Sequence, residues 1–79
     1  MNSVTFIRKL RSIRNYAEAK MQRALSAKQM NRTRMMAGML TVAEYQQLDK
    51  KWNMEIGYIT LELKHINREL TIAKLKRAY

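Results

Sequence analysis

Gly38-Met39-Leu40-Thr41-Val42-Ala43-Glu44-Tyr45 is the stretch that decides the fold. Gly38 suits the left-handed residue that closes a helix, because it has no Cβ to clash in that conformation. Thr41, with Glu44 three positions on, forms a capping box in which each residue satisfies a backbone N–H of the other. Leu40 and Tyr45 then occupy the two positions of a hydrophobic staple. One helix therefore ends and another begins here, and two long helices meet at the turn 38–41.

Toward the N-terminus, helix 1 is expected over about 3–37, with Asn2 or Ser3 as its cap. Its apolar residues Phe6, Leu10, Ile13, Ala17, Met21, Ala24 and Leu25 recur at three- and four-residue steps, which predicts one buried stripe. Gln29, Asn31, Arg32 and Thr33 interrupt it, so the last turns are expected to fray or kink. Met30, Met35, Met36 and Met39 gather around the same end, where packing against Tyr45 and Leu48 is expected; an adaptable exposed surface is the alternative.

Toward the C-terminus, helix 2 is expected over about 42–77. Tyr45, Trp52, Ile59, Ile66 and Ala73 fall at one heptad core position, with Asp49, Ile56, Leu63, Leu70 and Arg77 at the other. A second stripe of Met54, Tyr58, Leu61, Ile72, Leu75 and Tyr79 lies two residues off the first, on nearly the opposite face, and His65 and Arg68 break it in the middle. One partner helix cannot cover both stripes. The sequence thus predicts an all-α, two-helix antiparallel hairpin, a single domain that assembles into a dimeric helical bundle. Closure of each chain on itself and a swap of long helices between protomers are both compatible with this pattern.

Composition points the same way. The 79 residues include no proline, two glycines, no cysteine and one histidine, so turns are scarce and neither a disulfide nor a thiolate metal site is available. No cofactor is expected. A chain this short is near the lower limit for a self-sufficient core, and association with another chain is the usual remedy. No apolar run is long enough for a membrane span. The opening segment, Met1 to Ala17, is basic, acid-free and amphipathic like a mitochondrial presequence, yet the apolar pattern runs on through it, so it reads as part of the folded unit.

Charge is the strongest functional signal. The net charge is +10 and the pI about 10.4, which favours an anionic partner. The excess sits mainly in helix 1, where Glu18 is the only acid before the turn.

The longer stretch from Gly38 to Trp52 resembles the SHOCT-like module, in which a pattern of the form G-[IL]-[IL]-T-x-x-E-[YF] opens a helix and an I/L-D-K step often follows. Gly38, Leu40, Thr41, Glu44, Tyr45, Leu48, Asp49 and Lys50 match it; Met39 stands at a usually aliphatic position, and Val42 and Ala43 where acids are common. The resemblance implies a small helix-turn-helix protein of bacterial mobile-element or phage type, acting by interaction or oligomerisation in the cytoplasm of a bacterial or phage-infected cell. It implies no enzymatic activity.

No catalytic constellation stands out. Glu62 or Glu69 with His65, one helical turn apart, is the only arrangement with acid–base potential, and a surface histidine beside helix-stabilising acids is the ordinary reading. The candidate anion-binding set is Arg8, Lys9, Arg11, Arg14, Arg23, Lys28 and Arg32. Arg8, Arg11 and Arg14 step by three to form a slowly turning ridge, Asn15 and Gln22 extend it, and Lys28 with Arg32 makes a second pair. Such a ridge can track a phosphate backbone and reach base edges. Met54, Tyr58, Leu61, Ile72 and Leu75 form the candidate partner interface. Trp52 is expected in the core, whereas Tyr16, Tyr58 and Tyr79 are open to stacking.

The expected function is non-catalytic binding of nucleic acid, or of an acidic nucleic-acid-handling protein, by a homodimer, with no small-molecule substrate. A protein-only adaptor, chaperone or inhibitor docking through helix 2 is the rival from a different class. Membrane-surface binding is weaker, because Phe6 is the only bulky aromatic insert in helix 1.

Overall fold

The computed structural model describes residues 3–77, with side chains for 4–76. Helix α1 spans Ser3–Met36 and helix α2 spans Val42–Arg77, packed antiparallel as a closed hairpin with extents of 58 × 16 × 14 Å. The expected caps Asn2 and Ser3, and the stripe members Arg77 and Tyr79, lie outside the described side chains.

The turn forms as its residue types require. Gly38 adopts φ +77°, its N–H donates to the Met35 carbonyl at 3.0 Å, and the Met39 N–H donates to the Arg34 carbonyl at 2.8 Å. This is the paired bond pattern of a Schellman C-cap. Across the turn, the Glu44 N–H donates to the Thr41 hydroxyl and the Thr41 N–H donates to the Glu44 carboxylate, each at 3.1 Å. Leu40 and Tyr45 are both half-buried, as the staple needs.

Helix α2 presents the heptad seam read from its sequence. Ile59, Ile66, Leu70 and Ala73 are buried, while Tyr45, Asp49, Trp52, Ile56 and Leu63 are half-buried. Helix α1 corrects its expected stripe. Phe6, Ile13 and Leu25 are exposed at 37%, 42% and 46%, and Ile7 is buried instead. The residues turned toward α2 are Ile7, Leu10, Arg14, Ala17, Met21, Ala24, Lys28, Asn31 and Met35, alternating three- and four-residue steps without a break, and every one is buried or half-buried. Leu10, Ala17, Met21 and Ala24 lie on the seam as expected, but the seam also passes through Arg14, Lys28 and Asn31, and there the nearest apolar residues lie beside it. The same regularity removes the expected fraying or kink. Asn31 lies buried in the seam, and α1 continues as helix to Met36.

The interior is graded along the rod. Away from the turn, Ile7 and Ala17 pack with Ile66, Leu70 and Ala73, flanked by Leu10 and Leu63. Toward the turn the seam becomes polar. Lys28 Nζ donates to Asn53 Oδ1 at 2.6 Å and lies 3.7 Å from Asp49 Oδ1, while Asn53 Nδ2 donates to Asp49 Oδ2 at 3.3 Å. Alanines at 17, 24 and 73 make up much of the buried apolar set, so this core is thin.

The methionine cluster also departs from expectation. Met35 is half-buried, but Met30, Met36 and Met39 are 54%, 76% and 72% exposed. They lie around the Schellman turn, which directs the chain away from the seam before α2 begins, and they form no core against Tyr45 and Leu48.

Candidate nucleic-acid interface and docking face

Charge neutralisation begins inside the hairpin. Lys20 Nζ reaches across to Glu62 Oε2 at 3.1 Å and sits 5.1 Å from the centroid of the Tyr16 ring. Lys28 is held by Asp49 and Asn53, as described above. Arg14 Nε lies 3.9 Å from Glu18 Oε1, too far for a hydrogen bond, and is itself buried without a hydrogen-bond acceptor. Three of the α1 cations are thereby drawn into or beside the seam.

Six others are left. Arg8, Lys9, Arg11, Arg23, Arg32 and Arg34 are exposed, and among the described residues none has an acidic group within 4.0 Å. The ridge from Arg8 through Arg11 to Arg14 therefore turns from the surface into the seam, and Arg14 does not share an open face with the other two. Of the sequence-derived set, the structure keeps Arg8, Lys9, Arg11, Arg23 and Arg32 on the surface, while Arg14 and Lys28 are half-buried.

The seam also defines what lies opposite it. Arg8, Asn15, Gln22 and Gln29 recur at seven-residue steps, as do Lys9, Tyr16, Arg23 and Met30, and all are exposed. Between these rows runs a low line of Thr5, Ser12, Ala19, Ser26 and Thr33, also exposed. Gln29, read from sequence only as a break in the apolar stripe, joins this row because such a row is legible only once the seam frame is known. Arginine and side-chain amides are the groups that pair with base edges, and Lys and Arg those that neutralise phosphates.

On α2, Met54, Tyr58, Leu61, Ile72 and Leu75 are exposed at 53%, 62%, 66%, 37% and 57%. They stand opposite the seam, as the half-turn offset between the two stripes requires. His65 and Arg68 are exposed between its two apolar segments. Trp52 is half-buried in the seam with Lys51 Nζ 5.8 Å from its ring, whereas Tyr16 and Tyr58 are open.

Glu62, a candidate partner of His65, is engaged by Lys20. Among the described residues no three His, Cys, Asp or Glu side chains converge as metal ligands. A groove of about 420 Å³ near the turn is lined by Lys28, Arg32, Met36, Tyr45 and Asp49 and their neighbours, with no histidine. No helix is long and apolar enough to cross a membrane among the described residues.

Compared with protein-family models, with curated proteins and with solved structures, the chain finds no match in any of the three. Its surfaces are therefore read from their own chemistry.

Proposed function

We propose that this chain is a non-catalytic binding protein that grips nucleic acid through the outward face of α1 and self-associates through the outward face of α2. The observation that carries the reading is the set of six exposed α1 cations with no acidic neighbour. Three acids, Glu18, Asp49 and Glu62, serve seam cations, and none serves these six. Arg8, Lys9 and Arg23 lie on the outward face and span about 22 Å at 1.5 Å per residue, long enough for several successive phosphates, with Arg11 and Arg32 on one flank of it and Arg34 on the other. The mechanism is occupancy, in which Arg and Lys displace counterions and Asn15, Gln22 and Gln29 lie beside them for polar contacts. The turn's resemblance to SHOCT-like modules supports a phage or mobile-element setting and a cytoplasmic location.

The deciding experiment is a mobility-shift titration with duplex DNA over a range of salt. Affinity is expected to fall steeply with salt. Arg8→Ala, Lys9→Ala and Arg11→Ala together are expected to lower the log–log slope by roughly 0.9 for each phosphate that is no longer neutralised. Absence of retardation at low salt sinks the proposal.

A second reading is favoured by the five exposed apolar residues of α2. In it, the same face docks on a partner protein, and the chain acts as an adaptor, chaperone or inhibitor. It predicts that Tyr58→Glu abolishes function while neutralising Arg8, Lys9 and Arg11 is tolerated.

A further inference from the structure

The outward face of α2 carries its own heptad frame. Tyr58, His65 and Ile72 fall at one core position, and Met54, Leu61, Arg68 and Leu75 at the other, alternating steps of three and four. In that frame Lys50 and Lys64 lie on one flank, and Glu55 and Glu69 on the other. All four charged groups lack an ion-pair partner among the described residues. In a parallel, in-register pair of helices, a flanking residue of one chain faces the opposite flank of the other five positions further on. That rule pairs Lys50 with Glu55 and Lys64 with Glu69 of the second copy, each twice by symmetry.

Antiparallel pairing brings like flanks together instead. In one register it sets Lys64 near the second copy's Lys64 and Glu55 near its Glu69; one heptad along, it sets Glu62 near its Glu69 against a compensating Glu55–Lys76 contact, so neither matches the parallel set of attractions. Charge complementarity therefore selects both the occupant and its direction. We infer that α2 pairs in parallel and in register with α2 of a second copy, leaving the two basic α1 helices on opposite edges of the dimer, where they bridge two nucleic-acid segments.

The bridging half rests on the proposed nucleic-acid function; the pairing half does not. The order across the dimer is α1, α2, α2, α1. At roughly 9 Å between neighbouring axes, the two α1 helices lie about 27 Å apart. That exceeds the screening length of about 8 Å at physiological ionic strength, so the +10 charge of each chain is a small obstacle to pairing. Each outward α1 face points away from the other, so one straight duplex cannot lie on both. His65 and Arg68 sit in mid-interface, and polar groups at such positions fix register at a cost in affinity.

Cross-linking tests the pairing directly, because the chain has no cysteine and an introduced thiol is unique. Leu61→Cys and Leu75→Cys, each alone, are expected to form a disulfide-linked dimer on mild oxidation, with helicity checked by circular dichroism. Cross-linking only in a mixture of Tyr58→Cys with Leu75→Cys, or of Met54→Cys with Ile72→Cys, would mean antiparallel pairing and overturn the inference, as would a monomeric mass at all concentrations for the unmodified chain. Lys64→Glu is expected to weaken self-association roughly tenfold, about the effect of two exposed pairs turned from attraction to repulsion. Adding Glu69→Lys to the same chain should restore it, and failure of that rescue counts against the register. For bridging, an immobilised duplex should capture a second, free duplex only when the protein is present. Leu61→Glu should abolish that capture while single-duplex retardation persists. If the unmodified chain retards no duplex at all, the nucleic-acid reading falls and bridging with it, while the cross-links still decide the pairing.

Discussion

Gly38 and the Thr41–Glu44 pair show how few atoms set the hairpin. A Cβ at position 38 would meet nothing within 4 Å, so the cost of a side chain there is purely that of the left-handed backbone. Gly38→Ala is expected to lower stability by about 1 kcal/mol in chemical denaturation. Thr41→Ala should cost about the same through loss of the cap. The Glu44 carboxyl is held below the ordinary carboxylate range, first by the Thr41 backbone N–H and then by the Thr41 side chain. A lowered folded value means that the stabilising bond is fully present above the ordinary range and is lost as pH falls through the lowered one. Helicity of the unmodified chain should therefore drop in acid more than that of Glu44→Gln, and the two curves should converge at the acid end. Parallel curves would show that the cap does not titrate.

At the scale of the element, the two helices differ in how openly they declare their inner face. Helix α2 puts large apolar residues at nearly every seam position, so its frame can be read directly from spacing. In α1, three of the nine seam positions are Arg14, Lys28 and Asn31, while Phe6 and Ile13 lie on one flank of the seam and Leu25 on the other. Spacing of apolar residues therefore finds Leu10, Ala17, Met21 and Ala24 on the seam but adds Phe6, Ile13 and Leu25 beside it and misses Ile7 and the three polar positions. Arg14→Leu is expected to raise stability by about 1 kcal/mol, because it removes a buried Nε without an acceptor and adds apolar packing. It should leave the salt slope of nucleic-acid binding unchanged, whereas Arg11→Ala lowers it. Gly57 lies within α2, exposed and with no atom in the way of a Cβ. Gly57→Ala should add roughly 0.5–1 kcal/mol by removing the entropy cost of a helical glycine.

For the whole molecule, a rod 58 Å long and 14–16 Å across keeps almost every residue near the surface. Such a shape buries little, and the buried set relies on small side chains. Thermal unfolding should accordingly depend on protein concentration, with the midpoint rising as the chain is concentrated, because burial of the α2 outward face adds to stability by mass action. Tyr58→Glu should remove that dependence while leaving the dilute-limit midpoint nearly unchanged, since Tyr58 is 62% exposed in the single hairpin. A midpoint independent of concentration in the unmodified chain would mean that the hairpin stands alone.

The turn, both helix ranges, the α2 seam and the excess of charge on α1 follow from residue type and spacing alone, because caps and heptads are local rules that act within a few residues. Leu10, Ala17, Met21 and Ala24 were legible as inward residues of α1, but the choice of Ile7 over Phe6 and the place of Arg14, Lys28 and Asn31 in the seam were decided only by packing the two helices together. The same packing sorted the cations. Asp49 and Glu62 lie far from Lys28 and Lys20 in sequence, and only the closed hairpin brings them to 3.7 and 3.1 Å and leaves Arg8, Lys9, Arg11, Arg23, Arg32 and Arg34 exposed without an acid.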